Sequence, residues 1–249
     1  MYPYGIFRVQ PDLSAESGLS AERSVLCQQA KPAVYLTFDD GPIPEVTPLV
    51  LDILSFYDVK ATFFMVGENI DKHPDIFRDV VKAGHSIGNH TYNHLKGWRT
   101  SFSDYMDNVD KWEETVEKQL SNLQSSNRQS SNRQLSNLQS SNRQSSNLQS
   151  SNRQSSNRQL FRPPYGKATL RQRIALHQRG YQLIYWDILT RDYDAARTPQ
   201  AMLAQIKKET RPGSIINFHD SLKSDKRMLA ILPDVIEWLQ KEDYDLRAL

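Results

Sequence analysis

VYLTFDDGP, residues 34–42, runs from an apolar stretch into two adjacent aspartates and a Gly-Pro break. Residues 34–38 read as a buried strand. Asp39 and Asp40 then arrive at its end, and Gly41-Pro42 turns the chain. Successive strand residues point to opposite faces, and neighbouring carboxylates repel each other. Alone, such a doublet before Gly-Pro is a polar turn. At the end of a buried strand it delivers carboxylates to the place where α/β folds collect their chemistry.

Outward from this strand the same grammar repeats. Val46, Leu49, Val50, Ile53, Leu54 and Tyr57 follow at helical spacing. Residues 61–66 (ATFFMV) predict a second strand and 75–83 a helix closed by Gly84. Residues 86–89 predict a short third strand, and 104–120 a helix with Tyr105, Val109, Trp112 and Val116 on one face. Residues 160–163 predict a strand end, 168–179 a helix stopped by Gly180, and 181–186 a strand. Thr198-Pro199 opens a helix, 214–218 predicts a strand, and 225–240 a last helix with Met228, Ile231, Leu232, Val235 and Leu239 inward. Strand-then-helix repeated this often predicts a mostly parallel sheet, open or closed into a barrel. Residues 1–31 predict a loosely held arm whose Tyr2, Tyr4 and Phe7 dock on a domain spanning 32–249.

That domain is interrupted. Residues 121–160 are eight copies of Ser-Asn-[Leu/Arg]-Gln-[Ser/Leu]. A five-residue period matches neither a 3.6-residue helix nor a heptad, and Ser and Asn favour caps and turns, so a solvated, disordered insertion is expected. The net charge is +2, but this segment holds five arginines and no acid, so without it +2 becomes −3. A mildly acidic domain is a poor nucleic-acid binder. The single cysteine, Cys27, excludes an intramolecular disulfide and a cysteine metal cluster. No apolar run is long enough to span a membrane. The first residues, MYPYGIFRVQPDLSAE, lack a charged-then-apolar leader pattern, so the chain reads as cytoplasmic by default, with action at the cell envelope left open. Nothing in the sequence addresses oligomeric state.

His90 and His94, in GNHTYNHL, are four residues apart, and on a helix both rings would share one face. His90 follows a strand, as the aspartates do. Two histidines and one aspartate make a three-ligand site with open positions, the pattern of a catalytic zinc-like centre. One carboxylate would be a ligand, and the other free to take a proton from an activated water. His73, His85 and His177 read as structural or surface residues, Tyr35, Phe38, Phe63 and Phe64 as core, Trp112 as core, and Trp98 as a loop residue.

TFDDGP, HTYNH, RPPYG (162–166) and FHD (218–220) occur in that order. With these motifs the chain resembles the polysaccharide deacetylase family, the NodB-homology domain of carbohydrate esterase family four. The resemblance implies a distorted, incomplete (β/α) barrel and a hydrolase that removes N-acetyl groups from N-acetylglucosamine-containing glycans such as peptidoglycan or chitin. O-acetyl esterase action on xylan, or non-catalytic glycan binding, are its alternatives. It implies Asp40, His90 and His94 as ligands of one divalent ion, Zn2+ or a similar ion such as Co2+, with Asp39 as general base oriented by Arg162. It also implies the Tyr165 backbone N–H as an oxyanion donor and His219 as general acid. Two motifs depart from the family pattern. Where D-x-x-D-W is common, Leu189-Thr190-Arg191-Asp192-Tyr193 stands, making Asp192 the expected partner of His219, Asp187 a fallback, and Tyr193 a groove residue. Where a leucine commonly lines the acetyl pocket, Asn217 stands.

Overall fold

The computed structural model describes residues 5–6, 31–138 and 159–249. Nine strands form one sheet: β1 (Gly5–Ile6), β2 (Ala33–Asp39), β3 (Thr62–Met65), β4 (Ser86–Asn89), β5 (Gln159–Phe161), β6 (Tyr181–Ile184), β7 (Ile188–Leu189), β8 (Ile215–His219) and β9 (Asp245–Arg247). Every pairing is parallel, in the order β1-β6-β5-β4-β3-β2-β8-β7, with β9 joining the start of β2. This is the expected incomplete, distorted barrel. Seven helices connect the strands: α1 (Thr47–Phe56), α2 (Gly67–Lys72), α3 (Pro74–Lys82), α4 (Phe102–Leu138), α5 (Leu170–Gln178), α6 (Pro199–Glu209) and α7 (Asp225–Lys241).

The pleat of β2 sorts its residues into two environments. Val34, Leu36 and Phe38 pack outward into the main core with Val50, Leu54, Phe63, Ile216, Phe218 and the buried face of α7. Phe38 stacks between Phe63 and Phe218 at centroid distances of 5.1 and 5.7 Å. Tyr35, Thr37 and Asp39 point the other way, into the barrel. Three buried apolar side chains on one face of a strand thus fix the orientation of the carboxylate on the other.

The repeat departs from expectation. Helix α4 does not end near residue 120 but continues as backbone helix to Leu138. Its first half is anchored by buried Tyr105, Met106, Val109, Trp112 and Val116. Once such a nucleus exists, each further residue adds one backbone hydrogen bond, and Ser, Asn, Gln and Arg oppose it by only a few tenths of a kcal/mol each. Residues 139–158 lie outside the described residues, as does most of the N-terminal arm, whose Gly5–Ile6 pairs with β6. Elsewhere local signals hold. Thr198 Oγ1 accepts from Ala201 N at 3.1 Å as the cap of α6, and Thr169 makes a reciprocal capping box with Gln172 on α5.

Candidate metal centre and catalytic cleft

A cleft of about 720 Å3 opens at the C-terminal ends of β2, β4 and β8. Asp39, Asp40, His90, His94 and His219 all line it. The two aspartates reach one site by different means. Asp39 points in by strand pleat. Asp40 has left the strand with φ 84°, a left-handed conformation that swings its side chain to the same side. Asn69 Nδ2 fastens this turn by donating to the Asp40 carbonyl at 2.8 Å. From the far side, Asp220 accepts from Gly41 N at 2.9 Å and from Thr47 Oγ1 at 2.6 Å. A Cβ on Gly41 would stand 2.0 Å from Asp220 Oδ2, so only glycine lets this carboxyl dock. Burial pushes the Asp220 carboxyl up to about 8, which keeps it neutral at pH 7.

His90 and His94 meet, but not on a helix. Thr91 and His94 are both left-handed, with φ 61° and 54°. The loop's carbonyls at Thr91 and Tyr92 accept from Gly67 N and Glu68 N at the start of α2. This corrects the helical expectation: a tight loop braced on α2 brings the two rings together, at a centroid distance of 5.0 Å. Asp40 Oδ1 lies 3.6 Å from His90 Nε2 and 3.3 Å from His94 Nε2. The three ligand atoms fall within 4.8 Å of one another. His90 Nδ1 is 2.7 Å from the Arg162 carbonyl; a carbonyl only accepts, so the proton sits on Nδ1 and Nε2 presents its lone pair. Burial and the neighbouring His90 push the His94 imidazole down to about 4, leaving it neutral and able to coordinate. Two imidazoles and a carboxylate converging on one point fit a divalent ion of the zinc type.

Asp39 is held from beneath. Arg162, fully buried, donates through Nη1 to Asp39 Oδ1 at 2.7 Å, to Thr37 Oγ1 at 2.8 Å and to Asn217 Oδ1 at 2.6 Å. Its Nη2 donates to the Tyr185 carbonyl at 2.9 Å. Asn217 Nδ2 donates to the other Asp39 oxygen at 3.0 Å. Burial would raise the Asp39 carboxyl, but the buried Arg162 guanidinium leads the opposing charges and holds the group below the usual carboxylate range. The expectation that Asn217 stands in the cleft wall is therefore corrected. It is completely buried, one pleat repeat below His219, and its amide is spent on Asp39 and Arg162.

His219 closes the opposite side. Asp192 grips it twice, Oδ2 accepting its backbone N–H at 2.7 Å and Oδ1 its ring Nδ1 at 2.8 Å. Burial opposes the imidazolium, but the Asp192 carboxylate prevails and raises the ring to about 9. Asp187, the fallback, turns away to Ser214 Oγ at 2.7 Å and to Arg211. Tyr193 lies edge-on to His219 at 5.0 Å and lines the cleft. Tyr165, left-handed at φ 60° on the 164–166 turn, sits 4.7 Å from the His94 ring and 5.5 Å from Trp98. Of the remaining histidines, His85 is buried and accepts from Ala61 N against Phe63, and His177 is exposed on α5. Four contributors carried little sequence signal. Asn69 had none, Trp186 and Leu222 in the cleft wall had none, and Asp220 stood in the FHD motif without a role.

A clamped carboxylate and a carboxylate-paired imidazole, flanking a three-ligand centre in a parallel α/β barrel, define a hydrolase that works on acyl bonds. The chain belongs to the polysaccharide deacetylase family, whose profile matches residues 28–184. It is 29% identical over 232 residues to a chitooligosaccharide deacetylase of Azorhizobium caulinodans, covering 89% of this chain and 94% of that one. A solved peptidoglycan N-acetylglucosamine deacetylase superposes with a TM-score of 0.70 at 26% identity, over 88% of this chain and 87% of the other. A pseudoenzyme of carbohydrate esterase family four from Bacillus anthracis has the same fold, with a TM-score of 0.70 at 21% identity, over 100% of this chain and 68% of the other.

Proposed function

We propose that this protein is a metal-dependent amidohydrolase that removes N-acetyl groups from N-acetylglucosamine-containing glycans. The observation that carries this is the separation of roles at residues 39 and 40. Asp40 faces the two imidazoles, and Asp39 faces a buried guanidinium and amide. Asp40, His90 and His94 would hold the divalent ion. When bound there, such an ion supplies Lewis-acid polarisation of an acyl oxygen and a water that deprotonates near neutral pH.

The chain's own groups do the rest. Asp39, ionised and fixed through both oxygens, accepts the proton of the attacking water; a base held in place wastes no motion in finding its proton. Its Oδ2 keeps a free lone pair beyond the Asn217 bond for that purpose. The Tyr165 backbone N–H, on a left-handed turn at the cleft wall, supplies an oxyanion donor. His219 faces the cleft with Nε2 while Nδ1–H is held by Asp192, and it donates a proton to the departing group. A proton retained up to about pH 9 suits an amine, a poor leaving group unless protonated, and so favours N-acetyl over O-acetyl substrates. A glycan binder would need neither base nor acid, and both are complete here, each with its orienting partner.

Acetate release measured on chitin oligomers, peptidoglycan and acetylated xylan, with and without a chelator, tests the reading. Chelator-sensitive release from the first two supports it. Release from xylan alone makes the protein an esterase, and release from none makes it a binder.

A further inference from the structure

A second cleft of about 690 Å3 lies beside the catalytic one, and Trp186 and Leu189 form a wall common to both. Its lining carries three cations against two carboxylates, Asp187 and Glu209. Arg191, Arg197 and Lys208 face it, and no ion pair joins any of them to an acid among the described residues. The two acids at its edge are already engaged. Asp187 accepts from Ser214 Oγ at 2.7 Å and Arg211 at 3.2 Å, and Glu209 accepts from Gln205 Nε2 at 3.0 Å. Arg197 gives one N–H to Gln205, but its Nε–H is buried and meets no described acceptor. Arg191 and Lys208 are exposed at this cleft, where an oxyanion can accept from both cations. Arg191 is left-handed, with φ 56°, on the turn that leaves β7.

We propose that this cleft is an anion subsite that receives a carboxylate carried by the glycan next to the sugar being deacetylated. The inference rests on the deacetylase reading and adds to it a preference for acid-bearing over neutral chains. The shared wall makes the two clefts neighbours along one ligand. With one sugar at the metal centre, the chain passes Trp186, and an acidic substituent on the adjoining unit meets Arg191, Arg197 and Lys208. The carboxylate has two sources, an acid group on the adjoining sugar or a peptide attached to it.

The test compares the wild type with Lys208→Gln and with the double variant Arg191→Asn/Lys208→Gln. Asparagine tolerates the left-handed backbone at 191, and Lys208 is exposed on α6, away from His219 and its partner. Substrates are chitotetraose, peptidoglycan strands bearing peptides, and the same strands with peptides removed enzymatically. The double variant should raise KM on carboxylated strands about tenfold with kcat unchanged, and leave chitotetraose unaffected. Lys208→Gln alone should show a smaller rise of the same kind. A KM shift confined to peptide-free strands, where cutting the amide has freed the sugar's acid, assigns that acid; a shift on intact strands assigns the peptide. An unchanged KM on both carboxylated strands, or an equal loss on chitotetraose, overturns the subsite. If the wild type releases acetate from nothing, the deacetylase reading fails, and calorimetry on the metal-free full chain still decides. Tighter binding of carboxylated strands by the wild type than by the double variant supports the subsite, and equal binding overturns it.

Discussion

Asp39 and His219 are register partners on adjacent parallel strands, at the last position of each. One pleat repeat below them, Thr37 and Asn217 are partners in the same way. The proposed base and acid are thus spaced by backbone hydrogen bonds, and the pair beneath them ties into Arg162.

Asp39→Asn is expected to lower kcat by about 10²- to 10⁴-fold, the usual contribution of a positioned base, while divalent ion binding measured by calorimetry stays intact. Loss of the ion instead would mean that the two aspartates have exchanged roles.

Asn217→Leu removes the bond to Asp39 Oδ2 and leaves Arg162 Nη1 with one acceptor fewer. With both partners buried, a stability loss of about 1–3 kcal/mol is expected in denaturant titrations. A fall in kcat with KM unchanged, measured well below the melting temperature, would show that Asn217 acts through the base and not through packing.

The alkaline limb of activity should follow His219. Its folded value of about 9 lies above the unfolded value near 6.5, so the acid is protonated through neutrality and kcat should fall as pH rises through about 9. The His219–Asp192 pair likewise contributes stability in full below about 6.5, and this is lost as pH rises through about 9. Asp192→Asn should move the limb toward lower pH in a kcat–pH profile; an unmoved limb would assign it to another group.

Asp220 titrates with the opposite habit from most carboxylates. Folded at about 8 against 3.8 in the reference state, it contributes stability at low pH that declines as pH rises through about 8. Asp220→Asn carries no such slope, so thermal melts of the two proteins should diverge between pH 4 and 8 and run parallel above it. Asp220→Ala, which orphans Gly41 N and Thr47 Oγ1, should be the less stable variant throughout.

Deleting residues 126–155, six whole repeat units, should leave melting temperature and activity near those of the intact chain. Among the described α4 side chains, those before residue 126, the last buried one is Gln119, bonded to Arg78, with Leu120 against the core beside it. Loss of folding would show that the repeat is structural.

Much of this was legible locally. The strand at 86–89, the cap at Thr198 and the inward face of α7 follow from alternation, propensity and 3.6-residue spacing. Helix α2 was missed because six residues carry too short a period, and β7 and β9 are shorter still. The histidine spacing suggested a helix because the left-handed turns at Thr91 and His94 leave no glycine to mark them. Asn217 illustrates the deeper limit. Strand parity places it on the face of His219, but its partners, Asp39 and Arg162, are 178 and 55 residues away, and only the register between strands brings them together.

That register has an engineering consequence. The strand ends carry the proposed base and acid, while Trp98, Tyr193 and Leu222 at the rim belong to the intervening loops. Reactivity and recognition are therefore separable parts. A library that recombines the loops at 95–100, 193–197 and 221–224 leaves Asp192 on His219 and can be screened for new acylated polymers while the spacing of Asp39 and His219 remains a constant of the scaffold.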